Sequence, residues 1–189
     1  MGDVAGEYVI VGTKCRSTEY QAAIGLAQLK RLEKQTETRN VNAAYLKEQI
    51  KNIKGILPYR LYKDVTRATF HLFPFRYKKE DFQNLSRDQF IKALKAEGIP
   101  CYGGYTPLNN MPYLKDMLSS RSFQAIYPKE MLDFDKYVEN NRCPANDQLC
   151  EEAVWLPQNL LLGTKKDMDD AAEAIRRIRK YAGKIKNKK

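Results

Sequence analysis

From Thr18 to Ile53 the chain holds no proline and only one glycine, Gly25, and it is written mostly in Ala, Leu, Glu, Gln, Lys and Arg. Those residues lose little side-chain freedom in a helix, so this run commits the start of the chain to helix. Its apolar residues fall in two blocks. Ala22, Ala23, Ile24, Leu26, Ala27 and Leu29 form the first, Tyr45, Leu46, Ile50 and Ile53 the second, and Glu33 to Asn42 between them is nearly all polar. One long helix and two helices joined by a kink both fit, with Gly55 as the stop. Burial against another domain explains the first block better than a lone helix does.

Around that run the pattern changes period. Tyr8-Val9-Ile10-Val11 reads as a short strand ended by Gly12. Thr69 to Tyr77 is aromatic and β-prone, with Pro74 pointing to an edge strand or a bulge. Ser86 as N-cap, Phe90, Ile91 and Leu94 on one face, and Gly98 past the last turn mark a helix, followed by a strand at Ile99 to Tyr102. Thr106 to Arg142 is irregular, with three prolines and room for one or two short helices, and no element is assigned there beyond a helix at Met111 to Leu118. Pro144 to Glu152 reads as helix, Ala153 to Leu156 as strand, and Asp167 to Tyr181 as an amphipathic helix with Met168, Ala171, Ala172, Ile175 and Ile178 inward. The expected fold class is α/β in the α+β sense, with a small, mostly antiparallel sheet and helices packed on it.

The net charge of +10 raises the question of a nucleic-acid partner. Eight of the 33 bases follow Glu173, the last acid, so 25 bases face 23 acids in the rest. The excess belongs to a solvated C-terminal end, where cations also complement the helix dipole, and neither nucleic acid nor membrane is expected as a partner. No apolar run approaches the roughly 18 residues of a membrane span. Cys15, Cys101, Cys143 and Cys150 match no zinc spacing and read as reduced thiols of a cytoplasmic protein.

Read residue by residue, the chain shows little catalytic machinery. His71, the one histidine, lies in an apolar strand and reads as a hydrogen-bonded core or interface residue rather than a general base. Trp155 reads as core. Gly103-Gly104 reads as a simple turn, with close approach of backbone to a ligand as the alternative.

Three ordered segments resemble a known family. Gly12-Thr13-Lys14-Cys15-Arg16-Ser17-Thr18-Glu19-Tyr20-Gln21-Ala22-Ala23 resembles the Gly-Thr-Asn-aromatic-Arg-Met-Thr-Glu-Phe-Gln-Ala-Ala segment of the DegT/DnrJ/EryC1/StrS aminotransferases. Arg87 to Pro107, with Ala-Glu-Gly-Ile-Pro-Cys at 96 to 101 and Gly-Tyr-Thr-Pro-Leu at 104 to 108, is the second match. The third runs from Cys143-Pro144 through Cys150 to Gln158 and on to Gly163 and Asp167 to Asp170. The likeness extends most to the branch of glutamine:scyllo-inosose aminotransferase and 3-amino-5-hydroxybenzoate synthase.

The resemblance implies the small domain of a fold-type-I, pyridoxal-phosphate-dependent aminotransferase that moves an amino group from glutamine or glutamate to a keto-sugar or keto-cyclitol. It divides the chain into a junction remnant at 1–17, a small domain at 18–182 and a basic tail at 183–189. It implies cofactor contacts at Lys14 and Arg16, although Lys14 stands where the family has an asparagine that reaches the cofactor phosphate across a dimer interface. A lysine meets phosphate as a point charge and lacks the geometry of an amide. Tyr105 occupies the loop that approaches the substrate ring. The Schiff-base lysine, the acid paired with the pyridine nitrogen and the ring stacked on the cofactor are expected ahead of Met1, so no catalytic residue is assigned and the chain alone is expected not to transaminate. The partners this implies are a large domain or complementary chain and a further copy in a homo-oligomer. The other reading is a non-catalytic binding module that keeps the small-domain shape.

Overall fold

A computed structural model describes residues 17–186, so the strand expected at Tyr8–Val11 lies outside the described residues. In chain order the helices are α1 (Glu19–Ile50), α2 (Arg87–Ala96), α3 (Pro112–Leu118), α4 (Arg121–Ile126), α5 (Phe134–Asn140), α6 (Pro144–Glu152) and α7 (Lys165–Lys186). The strands are β1 (Ile56–Pro58), β2 (Leu72–Tyr77), β3 (Tyr102–Gly103) and β4 (Ala153–Pro157). The described residues form two compact units, one from 18–104 with 151–186 and the other from 105–150.

The first unit opens on a reciprocal cap. Thr18 Oγ1 accepts from the Gln21 amide at 3.3 Å while Gln21 Oε1 accepts from the Thr18 amide at 2.8 Å, so two of the otherwise unpaired N–H groups of the first turn are satisfied. α1 then runs unbroken for 32 residues. It ends before Gly55, which instead adopts φ +91° at the entry to β1, where its carbonyl accepts from the Lys78 amide at 2.8 Å. A Cβ at Gly55 would sit 2.6 Å from the Asp81 Cβ, so both backbone and space require glycine.

The sheet is wholly antiparallel in the order β1-β2-β4-β3. Phe73, Phe75 and Tyr77 alternate inward with Val154 and Leu156 of β4, onto a core completed by Leu46 and Ile50 of α1, Phe90 and Leu94 of α2, and Met168, Ala171, Ala172, Ile175 and Ile178 of α7. Burying each large apolar side chain stabilises by about 1.5–3 kcal/mol, so this face fixes the register of β2. Tyr77 stacks on Phe90 at 4.3 Å, and Phe82 meets Phe90 edge-on at 5.5 Å. The Tyr77 hydroxyl donates to the Leu85 carbonyl at 2.8 Å, which satisfies its buried polar tip, and burial pushes the phenol well above its ordinary pKa.

β2 is an interior strand, not the edge expected from Pro74. The Pro74 carbonyl accepts from the Tyr59 amide at 3.2 Å, so the polar side of Pro74 faces the chain leaving β1 at Pro58. Its missing donor therefore falls beyond the last paired residue of β1 and costs the ladder little. α2 has the cap expected for it, with Ser86 and Gln89 bonded reciprocally and Gly98 at φ +86° beyond its end. The inward residues expected on α7 are all buried, and the helix continues past Gly183 to Lys186.

The second unit contains α3, in the place expected for a helix, together with α4 and α5, in the stretch where no further element was assigned. Ser120 and Asp133 cap α4 and α5 through their side-chain oxygens, and Leu114 and Leu118 of α3 are the buried apolar pair. The Asn109 amide donates to the Asn141 carbonyl at 2.7 Å.

Candidate functional site

Of the residues singled out from the sequence, Lys14 and Arg16 lie outside the described residues, as does Cys15. Tyr105 is described, and its side chain is exposed. It follows a short, tightly built stretch at one end of the sheet. Tyr102 and Gly103 pair with Trp155 and Val154, and the Gly104 amide donates to the Ala153 carbonyl at 3.1 Å. A Cβ on Gly104 would lie 2.7 Å from the Ala153 Cβ, so the close approach of these two backbones demands glycine. At Gly103 a Cβ would meet the Arg87 guanidinium at 3.4 Å, an ordinary contact. Gly104 thus fixes where the chain leaves the sheet, and Tyr105 is the next residue.

His71 departs from its expected place. It is exposed immediately before β2, and the buried aromatic positions of that strand begin with Phe73. Trp155 is half-buried on the sheet face opposite the aromatic core, since Val154 and Leu156 take the inward positions.

At the other end of the sheet the structure buries polar groups that hydropathy had marked as surface. Thr36, Arg39 and Asn42 recur at helical spacing on α1 and turn inward, with Arg39 only 4% exposed. Arg39 donates to the Thr69 carbonyl at 3.0 Å, to Gln158 Oε1 at 3.2 Å and to Thr36 Oγ1 at 2.8 Å. Asn42 donates to the carbonyls of Leu161 and Gly163, both at 2.9 Å. Thr69 precedes β2 and Gln158 follows β4, so these two side chains fasten the middle of α1 to the end where β2 enters the sheet and β4 leaves it. No sequence signal beyond the spacing of three polar residues marks this cluster.

The described residues offer little reactive chemistry. Cys101 is buried and its thiol is pushed up to about 11 by desolvation, with Lys95 opposing, so it is inert at neutral pH; Cys143 is exposed. Among the described residues no group of three His, Cys, Asp or Glu side chains could hold a metal ion, and no helix is long and apolar enough to cross a membrane. No described lysine is buried.

Solved structures that share this arrangement of long helix, small antiparallel sheet and packed helices include several aminotransferases and a GDP-4-keto-6-deoxy-D-mannose-3-dehydratase of E. coli with bound hydrated pyridoxal phosphate. The crystal structure of 3-amino-5-hydroxybenzoic acid synthase superposes with a TM-score of 0.63 at 23% identity, covering 89% of this chain and 40% of that one. An aminotransferase of Helicobacter pylori involved in the biosynthesis of pseudoaminic acid gives 0.59 at 18% identity over 95% of this chain. The fold is that of the small domain of a pyridoxal-phosphate-dependent aminotransferase.

Sequence narrows the class further. The model of the DegT/DnrJ/EryC1/StrS aminotransferase family matches residues 2–176, and the chain belongs to that family. The L-glutamine:2-deoxy-scyllo-inosose aminotransferase of Micromonospora echinospora is 25% identical over 89% of this chain and 39% of its own length. The 3-amino-5-hydroxybenzoate synthase of Amycolatopsis mediterranei is 25% identical over 88% of this chain and 39% of its own length. The chain therefore spans about 40% of the length of the curated relatives it matches.

Proposed function

We propose that this chain is the C-terminal, small-domain part of a sugar or cyclitol aminotransferase that moves an amino group from glutamine or glutamate to a keto-sugar or keto-cyclitol. The family match over residues 2–176 carries the reading, and the names of the relatives point to glutamine as donor and a keto-cyclitol as acceptor. In this reading the segment 1–17 is the junction to the large domain, 18–182 the small domain and 183–189 a basic tail. Lys14 and Arg16 face the cofactor phosphate and Tyr105 faces the substrate ring, where a phenol can both stack and hydrogen-bond hydroxyls.

The first half of α1 supports a missing neighbour. Tyr20, Ile24, Leu26 and Leu29 are 85%, 62%, 66% and 60% exposed, an apolar surface unusual for a helix that stands alone. A large domain, supplied in line or by a complementary chain, would cover it and would bring the cofactor lysine; a further copy would complete a homo-oligomer. The working compartment is the cytoplasm.

The test is expression of the chain with and without the coding sequence that precedes it, followed by an assay of glutamine-dependent amination with added pyridoxal phosphate. Activity only in the longer product supports the reading. Absence of a cofactor-binding segment both in line and in adjacent genes would favour the non-catalytic module.

A further inference from the structure

Away from the cluster around Arg39, the end of α1, the turn after Lys79–Phe82 and α7 line an open groove of about 870 Å³, with Glu48, Asn52, Gln83, Arg176, Arg179 and Lys180 among its residues. Arg176, Arg179 and Lys180 recur at i, i+3 and i+4 and share one face of α7.

The charges of this groove do not cancel. Glu48 is paired with Lys51 and Asp81 with Lys54, so the two carboxylates on the wall are already neutralised by lysines outside it. Arg176 pairs with Glu173 at 3.5 Å and donates to the Gln49 carbonyl at 2.9 Å. Arg179 and Lys180 have no acid within ion-pair distance among the described residues; Lys180 lies over the Tyr181 ring at 5.5 Å. Two uncompensated cations therefore face a concavity that also offers the side-chain amides of Asn52 and Gln83 as donors.

The local backbone is shaped around the same place. Gln83 and Asn84 are consecutive non-glycine residues at φ 55° and 59°, a costly conformation. Facing them, α7 carries Gly183, and a Cβ there would come within 2.3 Å of Gln83 Oε1, the end of a flexible side chain. A glycine inside a helix is itself unfavourable, so helix and turn both give up stability where the Gln83 amide reaches the groove.

The geometry points to this groove as a binding site for a small phosphate-bearing polyanion. Two neighbouring cations without an acid partner, Arg179 and Lys180, a third one turn earlier that is oriented by Gln49, and free amide donors match several oxyanions held on one compact ligand, which a single carboxylate would not satisfy. The inference does not rest on the aminotransferase reading.

The test uses the 189-residue chain and sodium tripolyphosphate as probe, by calorimetric titration at low salt. Saturable one-to-one binding is expected, weakened about tenfold or more in Arg179→Ala/Lys180→Ala, since each charge-assisted contact is worth roughly that factor. Lys165→Ala/Lys166→Ala removes the same charge from the other end of α7 and should leave the affinity unchanged. All four residues are exposed, so both variants should keep the wild-type melting profile. Equal weakening in the two variants, or no saturable binding, overturns the proposal. A short DNA duplex that binds more tightly than tripolyphosphate through Arg179 and Lys180 overturns it too, by assigning the face to nucleic acid.

Discussion

Arg39 Nε donates to the Thr69 carbonyl at 3.0 Å, tying the middle of α1 to the residues that lead into β2. The guanidinium is buried and its acceptors are all neutral, so its worth lies in direction rather than in charge pairing. Arg39→Ala should lower stability by about 1–3 kcal/mol in urea denaturation, because it deletes three bonds and takes a donor from the buried Thr36 hydroxyl. Arg39→Lys should recover little, since an ammonium on a flexible stem cannot serve three acceptors set around a planar fork.

Phe90→Ala tests the aromatic core. Phe90 is fully buried and touches the rings of Phe75, Tyr77 and Phe82, so the loss should be about 3–5 kcal/mol. Phe90→Leu keeps most of the volume and should cost clearly less in the same denaturant series.

The glycines separate strain from crowding. Gly55 and Gly98 have similar φ values of +91° and +86°, but a side chain at Gly55 meets Asp81 and Phe82 while one at Gly98 meets nothing within 4 Å. Gly98→Ala should cost about 1 kcal/mol, the conformational penalty alone, and Gly55→Ala distinctly more. Gly25→Ala, in helical backbone with open space around it, should stabilise by about 0.5–1 kcal/mol. Thermal melts of the three variants check the order.

How far the fold could be read beforehand depended on which residues carried the information. α2 was legible because Ser86, Phe90, Leu94 and Gly98 hold cap, face and stop within one short segment. α7 was legible from its inward stripe. Pro74 misled, because a proline forbids one hydrogen bond and only the register of β1 shows that this bond had no partner to lose. Thr36, Arg39 and Asn42 were invisible as interior residues, since hydropathy assigns such side chains to water and their acceptors come from distant segments. The short helices α4 and α5 lack an apolar period, so only their caps announced them. The candidate site residues came from the family motif alone: Tyr105 follows the glycine pair, and Lys14 and Arg16 lie outside the described residues.

A pH-dependent signal should come from the start of α7. Asp167 Oδ2 accepts from the Thr164 hydroxyl at 2.7 Å and from its amide at 2.6 Å, and these bonds hold the carboxyl below its usual 3.8. A carboxyl whose folded pKa is lowered contributes stability above its unfolded pKa, and that contribution is lost as pH falls through the lowered value. Asp167→Ala should therefore melt below wild type at pH 7, and the gap should close on acidification below pH 3.8.

Thiol labelling should separate the cysteines. With iodoacetamide at mildly alkaline pH, Cys143 should modify quickly in the native protein and Cys101 only on unfolding, given its burial and a thiol pushed up to about 11. Mass mapping of timed aliquots reads both rates.

The central claim is that this chain is the small-domain part of an aminotransferase whose cofactor lysine belongs to another segment. The most direct measurement is an absorbance titration of the purified chain with pyridoxal phosphate, followed by borohydride reduction and mass mapping of labelled lysines. The account predicts weak labelling scattered over exposed lysines and no spectral response to glutamine. Saturable labelling of one lysine, with a spectral change when glutamine is added, would contradict it.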